Sequence, residues 1–159
     1  MIRIANNNDL LTLSRYARIV ASELHASGVN QWSETYPDYP DFEKDLLRDA
    51  LFVVELEGQV VGSISVLPEN DPYYRLLAWK GYKALVVHRL MVLPEYRRHK
   101  LGTTLFNFAI DKAKNEGYDS IKVDTHPDNI RMQNLIVSVG FKEVGYMPGF
   151  NRIGYEIKF

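Results

Sequence analysis

The residues of this chain best placed to do chemistry lie between Leu90 and Thr104, in the run LMVLPEYRRHKLGTT. An apolar stretch ending in Leu90, Met91 and Val92 meets Pro94, which cannot continue a central strand. The basic run Arg97, Arg98, His99 and Lys100 follows. Leu101, Gly102, Thr103 and Thr104 then open a segment whose apolar residues Leu101, Leu105, Ala109 and Ala113 recur at helical spacing. A strand that feeds a helix through a basic turn brings the first unbonded N–H groups of that helix, its dipole and nearby cations to one point above the strand end. Such a point suits a phosphate or pyrophosphate. Gly102 lets the anion approach the backbone, because no Cβ stands in the way. Taken by itself, a basic run of this kind is more often a solvated helix start and nothing more.

The elements that must position this turn follow from periodicity. Residues 2–5 alternate as a short strand, and Asn8 or Asp9 can cap a helix carrying Leu10, Leu13, Ala17, Val20 and Leu24, closed by Gly28. Residues 29–40, with two prolines, cannot be regular throughout; residues 41–48 form a second short helix. Strands 51–56 and 60–67 are joined by a tight turn at Glu57-Gly58. A polar and aromatic loop, 68–81, leads to strand 84–92 and to the helix 101–114, which Gly117 stops. Strand 120–125, helix 128–139 with Gly140 at its end, and strands 141–146 and 152–159 complete the chain. This order predicts a mixed α/β sheet with an antiparallel front half and a strand–helix–strand crossover behind it.

Composition narrows the function. A chain of 159 residues fits a single domain, 1–159, and its 46% hydrophobic and 25% charged residues are those of a globular protein. A net charge of −1 argues against nucleic acid as partner. The absence of cysteine removes disulfides, cysteine-ligated zinc and a cysteine-bound acyl intermediate, and fits a reducing cytoplasm. The four histidines are scattered without metal-ligand spacing, so no metal is expected. No window approaches the roughly 20 apolar residues of a membrane span, and no signal core begins the chain. The expectation is a cytoplasmic protein with no membrane partner. Neither GxxxxGK nor GxSxG is present, and the basic turn lacks the spaced glycines of a dinucleotide fold.

The element order, the segment VLPEYRRHKLG, the downstream HPDNIRMQNLIVSVGF and the terminal YEIKF resemble the GNAT superfamily of acyl-CoA-dependent N-acyltransferases. The resemblance implies a mostly antiparallel, twisted sheet of seven strands with four flanking helices and a splayed central strand pair, CoA sitting between the strands ending at Val92 and Thr125. Arg97 and Gly102 match the first and last positions of the family's pyrophosphate loop, while Lys100 stands in place of its first glycine, where a positive φ would be costly. Arg97, Arg98, His99, Lys100, Leu101, Gly102, Thr103 and Thr104 would hold the pyrophosphate, and Met91 and Val92 would offer backbone contacts to the pantetheine. Asn129, and more distantly Asn134, would reach the same arm. Ile136 occupies the position at which many members carry a tyrosine acid.

The resemblance implies transfer of an acetyl group from acetyl-CoA to a primary amine of a small molecule or a protein, by direct attack in a ternary complex. The needs of such a site are alignment of two substrates, an oxyanion donor and a route for the amine's proton. His88, an even number of residues before Val92 and so on its face of an unbroken strand, is the first candidate base, with His126 behind it. A plain sheet role for His88 is equally open. Tyr146 and Tyr155 are the candidate acids. Gln31, Trp32, Tyr36, Tyr73, Tyr74 and Trp79 fall in the two irregular segments and would line an acceptor pocket, form a homodimer surface or simply cover the sheet. The rival to an enzyme is a non-catalytic acyl-CoA-binding or regulatory module on the same scaffold.

Overall fold

A computed structural model describes residues 1–159. The strands β1 (Ile2–Ile4), β2 (Leu51–Leu56), β3 (Gln59–Leu67), β4 (Ala84–Val92), β5 (Ser120–Thr125), β6 (Lys142–Met147) and β7 (Arg152–Lys158) form one sheet in the order β1-β2-β3-β4-β5-β7-β6. The β4–β5 pairing is parallel; β1–β2, β2–β3, β5–β7 and β6–β7 are antiparallel. The helices are α1 (Leu10–Ala26), α2 (Tyr39–Leu47), α3 (Leu101–Asn115) and α4 (Ile130–Ser138). The seven strands, four helices and their order are those the periodicity predicts. The parallel rungs run from Ala84–Ser120 to Val86–Lys122, although β4 continues to Val92 and β5 to Thr125.

The chain divides into two compact units. The first comprises Met1–Val66 and His88–Leu105. Its core is the apolar stripe of α1 (Leu10, Leu13, Ala17, Val20, Ala21 and Leu24) packed with Phe42, Leu51, Val53, Trp32 and Met91. Each large side chain buried in this way contributes about 1.5–3 kcal/mol. The β2–β3 hairpin turns on Glu57 and Gly58, both at positive φ, the geometry that matches strand twist. Three helix starts differ from expectation, α4 beginning at Ile130 rather than 128 because Asn129 caps it. Neither Asn8 nor Asp9 caps α1 with its side chain; Asn6 caps a 3-10 turn ahead of it, and Asp9 is engaged by Arg3 and the Asn6 N–H. Helix α2 begins at Tyr39 rather than 41, capped by Asp38 in a reciprocal box with Asp41, because Pro40 falls in its first turn where no N–H is needed.

The second unit comprises Leu67–Val87 and Phe106–Phe159. Tyr74, Val86 and Met147 form a buried cluster with Leu77, Trp79 and Phe150 around it, and Phe106 meets Phe141 edge to face. Residues 68–81 are not irregular throughout: Pro72–Leu76 is a 3-10 turn capped by Asp71. The β6–β7 ladder pairs Gly145 with Gly154, and the segment bearing Leu77 and Trp79 lies on that rung.

Candidate functional site

In the first unit the basic turn is more ordered than a loop. Pro94–His99 is a 3-10 helix, and Lys100 follows at φ 56 and ψ 31, in the left-handed region. The sequence suggests that a lysine resists this conformation; the structure places it there. A right-handed residue followed by a left-handed one turns successive N–H groups toward a common point, a backbone nest suited to anions. Helix α3 starts at the next residue. Thr104 is the first to bond back, its N–H and Oγ1 both donating to the Lys100 carbonyl at 3.1 Å, so the N–H groups of Leu101, Gly102 and Thr103 lie ahead of the first helical bond. The side chains of Arg98, His99, Lys100 and Thr104 are exposed. The Arg97 guanidinium turns away to pair with Glu23 of α1 and ties the turn to that helix.

Strand β4 carries a second distortion. Arg89 has φ 49 in mid-strand. The shared face of His88 and Val92 rests on unbroken alternation, and a left-handed residue between them interrupts it. His88 is half-buried, while the side chains of Met91 and Val92 are buried and leave only their backbone to a ligand. Arg89 is held by a buried network: its Nε and Nη2 each donate to Asp45 at 2.7 Å, Ser65 Oγ donates to the same carboxylate at 2.6 Å, and Nη1 donates to the Tyr36 hydroxyl at 3.1 Å. Burial opposes the Arg89 charge, but the Asp45 carboxylate prevails and raises its pKa. Sequence reading missed this pair. The signal was Asp45 three residues after the core residue Phe42, on the buried stripe of α2.

Of the α1–α2 residues proposed for an acceptor pocket, Trp32 belongs to the core and its carbonyl is bonded to His25 Nε2. Gln31 is half-buried, and Tyr36 is exposed with its hydroxyl on Arg89.

In the second unit, Asn129 is buried and caps α4, its Oδ1 accepting from the Met132 N–H at 3.1 Å. Asn134 is exposed on that helix, and Ile136 is fully buried beneath it. Tyr146 is exposed and donates to Asn151 Oδ1 at 2.8 Å. Tyr155 is buried, and burial with the nearby Glu143 charge raises its pKa. His126 is buried; its Nδ1 accepts from the Asp128 N–H at 3.0 Å, and burial lowers its pKa. Tyr73 is exposed and stacks on Phe150 at 5.1 Å. Trp79 is committed to covering the sheet: Nε1 donates to the Tyr74 carbonyl at 2.7 Å, the indole stacks on Tyr74, and it lies against Gly154. The Tyr74 hydroxyl donates to Asp124 at 2.6 Å, and burial pushes the pKa of both groups up. No set of His, Asp and Glu side chains is gathered as metal ligands. No helix is long and apolar enough to cross a membrane.

A model of the Acetyltransferase (GNAT) family matches residues 18–141, a span that includes the left-handed turn and the start of α3. The chain belongs to the GNAT acetyltransferase family. Among relatives, human N-acetyltransferase 8 is 31% identical over 111 residues, covering 68% of this chain and 46% of that protein. The chain thus spans about half the length of that relative. An acetyltransferase of the GNAT family from Streptococcus agalactiae superposes with a TM-score of 0.87 at 21% identity, over 100% of this chain and 95% of that one. The PaiA N-acetyltransferase of Thermoplasma acidophilum, solved in complex with coenzyme A, superposes with a TM-score of 0.79 at 20% identity, over 100% and 98% of the two chains. At these identities the structural likeness establishes the GNAT fold.

Proposed function

We propose that this GNAT protein is a single-domain acetyl-CoA-dependent N-acetyltransferase that delivers the acetyl group to a primary amine by direct attack in a ternary complex. The observation that carries the reading is the left-handed Lys100 feeding α3. It supplies the nest and the leading N–H groups that a pyrophosphate needs, with Arg98 and Lys100 as exposed cations and the exposed His99 between them. In this reading Arg97 positions the turn through Glu23. The backbone of Met91 and Val92 meets the pantetheine and the thioester carbonyl, where N–H donors would stabilise the tetrahedral oxyanion. Asn129 and Asn134 contribute to the same arm. The amine attacks the thioester carbon, the C–S bond breaks, and the CoA thiolate leaves. His88 takes the amine's proton, directly or through water. Tyr146 and Tyr155 stay the candidates for returning a proton to the thiolate; the first is exposed and the second buried.

The rival, a CoA-binding module without chemistry, retains the support of Ile136, whose buried side chain offers no acid. It loses the objection that Lys100 cannot form the turn. Acetyl-CoA with a panel of amines decides between them. The enzyme releases free thiol, and His88→Ala slows release more at low pH than at high pH. Calorimetric binding of CoA without thiol release from any acceptor would establish the module, and no binding at all would end both readings.

A further inference from the structure

In the second unit three polar side chains form a chain from the end of β5 to the surface: His126, Asn151 and Tyr146. The Tyr146 hydroxyl and one end of the Asn151 amide are 2.8 Å apart, and the other end lies 3.3 Å from His126 Nε2. Asn151, at φ 56, is held in the β6–β7 turn by its own N–H, which donates to the Met147 carbonyl at 3.0 Å. On the far side of the ring, His126 Nδ1 accepts from the Asp128 N–H at 3.0 Å. Gln133 fixes that corner by donating to the carbonyls of His126 and Pro127. The Asp128 carboxylate stands 3.8 Å from Nδ1, too far to compete with the backbone donor.

The hydrogens in this chain run in one direction only. A backbone N–H can only donate, so Nδ1 carries no hydrogen, and a neutral imidazole must then carry its one hydrogen on Nε2 and donate there. The ring is neutral because it is buried, and the Arg152 charge acts in the same sense. With the Asn151 nitrogen toward the ring, two donors would face each other. Half a turn about the Asn151 Cβ–Cγ bond puts the amide oxygen on Nε2 and keeps both contacts. The amide nitrogen then donates to the Tyr146 oxygen, and the Tyr146 proton points outward from a half-exposed side chain. We infer, resting on the acetyltransferase reading, that His126 and Asn151 are positioning residues that set Tyr146 as an outward donor, and that Tyr146 is the acid of acetyl transfer. As the C–S bond breaks, the Tyr146 O–H bond breaks with it and the proton passes to the CoA sulfur; solvent water later returns a proton to the phenolate. The Asn151 N–H favours that phenolate, since a hydrogen bond to a charged form stabilises it.

The first test is nitrogen–proton correlation NMR on the full chain with isotope-labelled histidines at neutral pH, the His126 signals being assigned by their loss in His126→Asn. The ring hydrogen should sit on Nε2. A hydrogen on Nδ1, an even mixture of tautomers or a cationic ring overturns the inference. The second test compares thiol release from acetyl-CoA, with a panel of amines, in Tyr146→Phe and Asn151→Asp. A carboxylate only accepts, so Asn151→Asp draws the Tyr146 proton inward. Both variants should lose at least about tenfold in kcat and bind acetyl-CoA in calorimetry as the unaltered protein does. The double variant should be no slower than Tyr146→Phe, because Asn151 acts through Tyr146. Full activity in either single variant, weakened acetyl-CoA binding, or a further loss in the double variant defeats the acid role. Should Asn151→Asp fail to fold by circular dichroism, Tyr146→Phe and the ring measurement decide. If the unaltered chain releases no thiol with any amine, the acetyltransferase reading falls and takes the acid role with it, while the NMR still reports which way the hydrogens run.

Discussion

Removing the Asp45 carboxylate should cost more stability than any other single polar change in the first unit. Asp45 is 1% exposed and accepts three hydrogen bonds at 2.6–2.7 Å, two from Arg89 and one from Ser65. Asp45→Ala leaves the guanidinium uncompensated in a site where its side chain is only 16% exposed, and it strands the Ser65 hydroxyl. Breaking one side of a buried pair costs about 3–5 kcal/mol. That is a large share of the roughly 5–15 kcal/mol that holds a domain folded. Urea unfolding followed by tryptophan fluorescence should show a lowered midpoint at unchanged slope. Two companions sharpen the test. Asp45→Ala combined with Arg89→Leu removes both charges and should recover more than half of the loss, because an apolar replacement for a whole buried pair is close to neutral. Arg89→Gly should be about 1 kcal/mol less damaging than Arg89→Ala, since only glycine adopts φ 49 without strain. A loss below about 1 kcal/mol for Asp45→Ala, or a double variant no better than the worse single one, would refute the reasoning.

Lys100→Gly should raise stability by up to about 1 kcal/mol by relieving a left-handed lysine, read as an increase in melting temperature; a decrease would contradict that conformation. Gly154→Ala should cost about 1–3 kcal/mol and change the tryptophan emission, because its methyl would lie 2.7 Å from Trp79 and 2.8 Å from Leu77; native stability and spectrum would count against the close packing. Burial holds the folded-state pKa of His126 below its unfolded value of about 6.5, so the unfolded chain binds more protons as pH falls. The stability from this group is therefore complete above about pH 6.5 and is lost as pH drops through it, and His126→Asn should flatten that limb; an unaltered limb would remove His126 as its source.

The order of elements was legible because it is written in spacing. The α1 stripe, the Glu57-Gly58 turn and the Leu101–Ala113 periodicity all have one reading each, and each fixed its element. Where two physical effects competed, the reading strayed. Pro40 looked like a helix breaker, yet the Asp38 cap admits it to the first turn. Lys100 looked too bulky for a left-handed turn, yet the 3-10 helix before it and α3 after it impose one. The distortion at Arg89 left no mark in the alternation of β4, and the carboxylate that holds its side chain lies 44 residues away in Asp45. Asn129 was legible as a residue of interest, but its bond to the Met132 N–H belongs to helix capping. Trp79 and Tyr73 share one segment and one chemistry; only the Gly154 rung beneath Trp79 separates a side chain that covers the sheet from one left exposed.

That rung constrains how this protein can change. Gly145 and Gly154 face each other across β6 and β7, and the absence of two methyl groups there makes an indentation into which Leu77 and Trp79 fit. The two halves of this lock are separated by more than sixty residues of chain, so neither can drift alone. A variant that fills the dent must pare down the indole, and one that enlarges the covering segment must keep both glycines. Any effort to reshape residues 68–81 therefore has to treat the distant hairpin as part of the same design.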